Sequence, residues 1–285
     1  MAEVLSIVID VTLLTLVLAL AAFGLAIIFG LVGVINMGHG ALLTLGAYLA
    51  WWGVEGLGLP FPIAVIFATF GVALVGLALE HVLIRHFYDR PFDTLLLTWA
   101  FFIVTTEIIK LVFGPDFRNI ANPIAGAIEF QGIAIPAYRG LVAMISLSVI
   151  ATTALVIFKT TWGIRIRALI QNRQVAALLG LNVAQTYKVI FALGAGAAGL
   201  AGALIAPMMS IDPYIGNVFL VRSFFVVIVG GIGHLLGGTL IGSFLIGGSE
   251  TLFALLSDQV VAQTIVFLLA IIVLRFRPQG LLTVK

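Results

Sequence analysis

The chain has 285 residues, of which 62% are hydrophobic and only 9% are charged, and its formal net charge is +2. Ordinary soluble domains are about 45–50% apolar and about 25% charged, so a soluble fold could not cover this much apolar surface. A bilayer removes that requirement, and the composition therefore predicts an integral membrane protein. The absence of cysteine excludes disulfides and thiol chemistry. The few basic residues form no stripe suited to nucleic acid.

The membrane spans begin with a long uncharged stretch, because residues 11–54 contain no Asp, Glu, Lys or Arg. One spanning helix needs about 20 apolar residues. The stretch therefore predicts two helices that are separated near residues 33–40, where the sequence is Gly-Val-Ile-Asn-Met-Gly-His-Gly. Further spans are predicted at residues 61–79, 94–113, 140–158, 187–206, 218–231, 237–256 and 259–274. Together these segments predict an all-α bundle of eight or nine spans with broken helices, forming a single transmembrane domain over residues 1–285.

The basic residues predict which loops face the cytoplasm. Ten of the 14 lie in three short segments, as expected for cytoplasmic loops: Arg85, Arg90, Lys159, Arg165, Arg167, Arg173, Lys188, Arg275, Arg277 and Lys285. The segments at residues 114–139 and 207–217 are then expected on the outer face.

Residues 159–188 are too charged to cross a membrane, yet their apolar positions recur at roughly a helical period. They predict one or two short helices at the cytoplasmic surface. Two interpretations fit these helices: an interfacial segment that lies on lipid, or a docking surface for a cytoplasmic partner.

Three groups of residues resemble, in the same order, the LivH/LivM-type permeases of branched-chain amino acid ABC importers. The first comprises residues 24–30 (Gly-Leu-Ala-Ile-Ile-Phe-Gly), 34–40 and 45–48 (Leu-Gly-Ala-Tyr), the second residues 163–168 (Gly-Ile-Arg-Ile-Arg-Ala), Asn172 and 176–180, and the third residues 277–281 (Arg-Pro-Gln-Gly-Leu). The second group resembles the family's cytoplasmic coupling segment. Because the three groups are in register over nearly the whole chain, the resemblance is specific.

The resemblance implies a multi-pass permease subunit of the bacterial inner membrane that imports a small polar metabolite and is not itself an enzyme. It implies a second permease subunit, identical or homologous, two cytoplasmic ATPase subunits that hold ATP and Mg²⁺, and a periplasmic substrate-binding protein. Its candidates for coupling to the ATPases are Gly163, Arg165, Arg167, Asn172 and Gly180. The sequence contains no GxxxxGK[ST] phosphate-binding loop, so ATP hydrolysis is expected on another polypeptide and no cofactor is expected in this chain.

Within this family the chain looks closest to the urea-permease branch, on the strength of residues 25–37, 90–99 and 171–173. Urea or a short amide is therefore one expected substrate, and a branched-chain amino acid is the other. Ala41 follows Gly40 where many relatives carry an acidic residue. This departure leaves the substrate open.

The sequence offers three candidates for the substrate path, namely Asn36, His39 and His234. Asn36 and His39 lie in the glycine-flanked break, where polar groups either tie the broken helix to its neighbours or line a passage. His234 lies in a second glycine-rich stretch, residues 230–238, which shares with the first a Gly-His pair and a Thr-Leu pair five and six residues after the histidine. Paired breaks in two halves of a chain are typical of a central transport path.

Several other patterns predict structure rather than chemistry. Residues 194–199 match the dinucleotide pattern GxGxxG, but no strand precedes them and their small residues favour close helix packing. Glu107 and Lys110 can pair along one helix, whereas Glu250 has no partner nearby in sequence. The four histidines show no metal-ligand spacing, and no catalytic cluster is visible. A secondary transporter or channel for a small neutral solute is the alternative function, although such proteins carry more compensated charges in their helices.

Overall fold

The computed structural model describes residues 2–88, 90–130 and 133–282, and Lys285 lies outside them. The helices are α1 (Ala2–Val32), α2 (His39–Trp51), α3 (Phe61–Val82), α4 (Pro91–Phe113), α5 (Ala137–Lys159), α6 (Thr161–Gln171), α7 (Arg173–Leu178), α8 (Val183–Ile205), α9 (Ile215–Gly230), α10 (Leu235–Ser243), α11 (Ser249–Ala254) and α12 (Gln259–Phe276). Turns of π-helix at Trp52–Gly56 and Phe244–Gly248 follow α2 and α10.

The helical bundle confirms the predicted fold class. Seven helical segments within the described residues are long and apolar enough to cross a membrane. The two shorter elements α2 and α9 bring the total close to the eight or nine spans predicted. The outer loop contains an antiparallel hairpin of β1 (Ala127–Phe130) and β2 (Ile133–Pro136), which was not predicted. Its alternating residues are too few to stand out beside the long apolar helices.

Helices α1 and α8 form the centre of the bundle and are the most deeply buried of its spans. Glycines let these helices approach their neighbours. A Cβ atom on Gly24 would collide with the backbone of Gly194, and one on Gly46 would collide with the backbone of Gly199. In lipid no hydrophobic force drives helices together, so close packing of small residues has to do so. The GxGxxG stretch is therefore a packing surface, as predicted.

Contacts between loops confirm which segments share a face. Arg118 and Ile211 exchange two backbone hydrogen bonds of 2.8 Å, which joins the two loops expected outside. On the opposite face, the guanidinium carbon of Arg173 lies 5.7 Å from the ring centre of Tyr88, between α3 and α4. The two basic loops therefore lie on the same side, which the excess of basic residues assigns to the cytoplasm.

Candidate substrate path and coupling segment

The first break separates α1 from α2 and is held together by side chains. Gly33 adopts a φ of +78°, which favours glycine. The backbone N–H of Met37 donates to the Thr98 hydroxyl of α4 at 3.0 Å, and that of Gly38 donates to Asn36 Oδ1 at 3.0 Å. Backbone groups that the break leaves unpaired at membrane depth thus find partners within the protein. Thr98 was missed by sequence analysis, because its partners lie about 60 residues away.

Asn36 and His39 are fully buried at this break. The His39 ring donates from Nε2 to the carbonyl oxygen of Ala21 in α1 at 2.7 Å, which ties α2 to α1. Among the described residues, Asn36 Nδ2 and His39 Nδ1 have no hydrogen-bond partner. Buried polar atoms seldom remain unpaired. The break therefore ties helices together and leaves these two buried nitrogen atoms available to a further hydrogen-bond partner.

The second break, residues 231–234, resembles the first in starting with a glycine of positive φ directly after a helix. Gly231 and Gly233 have φ values of +111° and +98°. The corresponding threonines, Thr44 and Thr239, each donate to the carbonyl oxygen four residues earlier. Each following helix then runs into a turn of π-helix, a feature that is frequent at functional sites.

The end of α1 meets this second break, since a Cβ on Gly30 would lie 3.9 Å from the backbone nitrogen of Gly233. His234 immediately precedes α10 and is half-buried, and its Nε2 has no partner among the described residues. Helix α1 therefore contacts both breaks: the first break follows it in the chain, and the second packs against its end.

A cavity of about 580 Å³ lies between α4 and α9, beside the first break. Its walls are mostly apolar and include Met37, Trp99, Asn217, Val221 and Phe224. Met37 belongs to the break itself. Asn217 is the one amide in a wall of aromatic and aliphatic groups. This cavity was not predicted, because α9 is mostly apolar and its few polar residues do not reveal which side faces an opening.

The segment between α5 and α8 forms two short helices, as predicted. Gly163 packs so closely on the carbonyl of Ile157 that a Cβ would not fit, and this contact folds α6 back against the end of α5. The Arg167 guanidinium donates to the same carbonyl and lies over the Phe158 ring. Arg165, by contrast, is exposed. Of the two arginines, Arg167 is thus bound within its own chain.

Asn172 and Gly180 set the two ends of α7. The Asn172 side chain accepts a 3.0 Å hydrogen bond from the Val175 N–H and caps the helix. Gly180, with a φ of +85°, terminates it in the left-handed conformation. Leu178 and Leu179 are left 87% and 76% exposed at the tip. The coupling candidates Gly163, Asn172 and Gly180 therefore shape a segment that presents an apolar tip.

The tip is anchored to the bundle by a group of side chains, which we call the Tyr88 cluster: Glu80, Tyr88, Arg173 and Tyr187. The Tyr88 hydroxyl donates to Glu80 Oε1 at 2.7 Å, and Glu80 is fully buried. The Tyr88 and Tyr187 rings are 4.9 Å apart, with Arg173 over both. Burial, and then the hydrogen bond to Glu80, raise the pKa of Tyr88, so its hydroxyl remains a donor. The cluster joins α7 to α3 and α8.

Short ion pairs occur on the membrane helices. Glu107 and Lys110 are 2.5 Å apart, as predicted from their spacing. Glu250 in α11 finds a partner that its sequence neighbourhood does not supply, namely Arg222 of α9 at 2.6 Å. Both of these side chains are mostly buried. Burial of one charge in a bundle is tolerated when the other neutralises it.

The apolar bundle, its two glycine–histidine breaks and the amphipathic segment on its basic face define a transport permease. Within the described part of the chain, no group of three or more potential metal ligands occurs. The family model described as "Branched-chain amino acid transport system / permease component" matches residues 7–274, and the chain belongs to this family. The protein is therefore a multi-pass transport permease of the inner membrane.

Curated relatives agree with this assignment. The high-affinity branched-chain amino acid transport system permease protein LivH of Salmonella typhimurium is 26% identical over 281 residues, which cover 93% of this chain and 90% of the relative. BraD of Pseudomonas aeruginosa is also 26% identical and covers 93% and 91%. A probable LivH of Methanocaldococcus jannaschii is 27% identical and covers 82% and 76%. No solved structure matches the chain.

Proposed function

We propose that this permease carries a branched-chain amino acid inward as part of an ABC importer. The observation that carries the proposal is the cavity beside the first break. A passage for an aliphatic amino acid needs an apolar wall for the side chain and a few polar groups for the charged end. Trp99, Val221 and Phe224 supply the wall, and Asn217 supplies an amide. The names of the curated relatives point to the same class of substrate.

The coupling segment supports the partner assignment. The exposed apolar tip at Leu178 and Leu179 has the composition of a protein contact rather than of a solvated loop. The Tyr88 cluster connects this tip to α3 and α8, so a displacement of the tip would also displace these helices. Two cytoplasmic ATPases are the proposed partners on this face. A periplasmic binding protein would deliver substrate to the opposite face, and a second permease subunit would complete the passage.

Urea or a short amide is the second candidate substrate, and one observation favours it. Asn36 Nδ2 and His39 Nδ1 are buried and have no partner among the described residues, and they belong to the same break as Met37, which lines the cavity. A small amide carries both donors and acceptors and could replace its lost water with such groups. A rearrangement of the break that uncovers Asn36 would be required, since the side chain is fully buried here.

The test is uptake by proteoliposomes that contain the permease with its ATPases and binding protein. We expect leucine uptake to be inhibited by isoleucine and valine but not by equal concentrations of urea or acetamide. Val221→Asn, in the cavity wall, should reduce uptake at least about tenfold, equivalent to about 1.4 kcal/mol. Val218→Asn is the matched control, since Val218 is similarly exposed on α9 but does not line the cavity, and it should transport normally.

The two substrates give opposite results. Uptake of urea that leucine does not inhibit would refute the amino acid proposal. Asn36→Ser, which keeps an acceptor for Gly38 but removes the amide, should then abolish urea uptake while leaving assembly intact. Equal uptake by the Val221→Asn and Val218→Asn variants would show that the cavity is not part of the transport path.

A further inference from the structure

A second crevice, of about 340 Å³, lies in the half of the bundle nearest the coupling segment. Helices α1, α3, α5 and α8 enclose it, and Ile166 of α6 closes its cytoplasmic end. Phe23 and Ile190 form its deeply buried back wall. Its mouth is formed by Phe70 and Leu193, which are 67% and 60% exposed. It therefore opens on the outer surface of the bundle, between membrane-length helices.

The lining offers no free side-chain hydrogen-bond donor to a polar ligand. Thr69 and Thr153 are its hydroxyl-bearing side chains, and each donates a 2.8 Å hydrogen bond to its own helix, at the carbonyls of Val65 and Val149. Water and polar solutes are poor occupants of such a site, since they need several polar partners. An empty crevice would forfeit the dispersion contacts of its walls. A hydrocarbon chain satisfies both conditions.

Basic side chains lie at the cytoplasmic end of the crevice. Val156 and Ile157 line that end, and Lys159 follows them at the exposed end of α5. Arg165 is adjacent to Ile166 and is also exposed. Anionic lipid headgroups of the cytoplasmic leaflet are attracted to basic groups placed at this depth. The arrangement is apolar along its length and positive at one end, which matches the chemistry of an anionic phospholipid.

We propose that the crevice binds one acyl chain of an anionic membrane phospholipid whose phosphate lies at Lys159 and Arg165. The acyl chain fills the space between α3, α5 and α8. It contacts Ile166 and so supports the side of α6 that faces the membrane. This site is separate from the cavity between α4 and α9, and it does not depend on which substrate is transported. It makes the position of the coupling segment sensitive to the lipid that surrounds it.

Native mass spectrometry of the detergent-purified protein, titrated with phosphatidylglycerol or phosphatidylcholine, tests the proposal. We expect one tightly held lipid, with phosphatidylglycerol preferred. Thr153→Phe fills the crevice and should lower occupancy at least about tenfold. Thr152→Phe is the matched control on the adjacent, exposed position and should retain the lipid. Ala192→Leu, a smaller filling change in the same lining, should lower occupancy even if Thr153→Phe folds poorly.

A double substitution, Lys159→Gln with Arg165→Gln, tests the headgroup site. It should remove the preference for phosphatidylglycerol while a lipid is still bound. Equal occupancy in wild type, Thr153→Phe and Ala192→Leu would overturn the acyl-chain site, and equal binding of the two lipids by wild type would overturn the headgroup site. If the filled variants lose a dimer but keep their lipid, the crevice is an interface with a second copy and the proposal is wrong.

Discussion

At the residue scale, several buried polar side chains of this bundle find their partners across the fold rather than along the chain. Glu250 pairs with Arg222, 28 residues away, and His39 with the carbonyl of Ala21. Sequence analysis could identify Asn36, His39 and Glu250 as unusual, because polar groups are rare in apolar helices. It could not identify their partners, because those depend on which helices pack together. The sequence thus predicted where these three groups lie but not which partners they have.

The Arg222–Glu250 pair yields a stability prediction. Glu250→Gln leaves a mostly buried guanidinium without its counter-charge, and we expect the free energy of unfolding to fall by about 3–5 kcal/mol. The double substitution Arg222→Met with Glu250→Leu removes both charges and should cost less. Thermal unfolding of the protein in detergent measures both effects. Glu107→Gln, in the more exposed pair with Lys110, is the control and should shift the melting temperature least. Equal losses in the single and double variants would show that the pair is not the stabilising unit.

At the element scale, the spans were predictable and the turns between them were not. Long apolar runs bounded by glycine, proline or charge place α3, α4 and α5 within a few residues of their observed ends. The β-hairpin and the two π-helical turns depend on local backbone geometry, which leaves little trace in composition. The correspondence of the two breaks stays a prediction from the Gly-His and Thr-Leu pairs. The threonine hydrogen bonds do not test it, because Thr69 and Thr153 elsewhere in the bundle make the same bond to the carbonyl four residues earlier.

Contact between α2 and α8 depends on glycine, which gives a prediction for Gly202. A Cβ at this position would collide with the carbonyl of Leu43 and approach the nitrogen of Ala47 at 3.0 Å. Because both are backbone atoms, a helix has to move, and Gly202→Ala should destabilise the protein by about 1–3 kcal/mol. Gly140→Ala is the control, since Gly140 of α5 has no atom within 4 Å of an added Cβ. It should be neutral or stabilising by about 0.5–1 kcal/mol. Unfolding in detergent that ranks the two variants in the reverse order would contradict this packing.

At the scale of the whole molecule, the loops divide into two sets that lie on opposite faces. One set is joined by the bridge between Arg118 and Ile211, and the other by the Tyr88 cluster. Asp10 in α1 lies 4.0 Å from Arg139 at the start of α5, which places the beginning of α1 with the outer set. The sequence predicted the faces of the loops from charge alone. The side of the N-terminus required the contact between Asp10 and Arg139.

The absence of cysteine makes this topology directly testable. Cysteines introduced singly at Val4, Asn119 and Gln171 occupy exposed positions. An impermeant thiol reagent added to intact cells should label Val4→Cys and Asn119→Cys, and Gln171→Cys only after the membrane is opened. The unsubstituted protein provides the blank. Labelling of Gln171→Cys and Asn119→Cys from one side would contradict the arrangement of the bundle, and labelling of Val4→Cys from the inside would contradict the assignment of α1.

The central place of α1 has a consequence for how the protein is made. This helix precedes every helix that covers it, and α8, its main glycine partner, is synthesised about 150 residues later. Until then α1 has to reside in the bilayer alone. Its predominantly apolar surface, which carries no charge from Val11 to Val32, allows this, because lipid tails solvate apolar side chains as well as protein does. Assembly then exchanges lipid for protein around an already inserted helix, so errors in this step would leave a chain that is inserted but not packed.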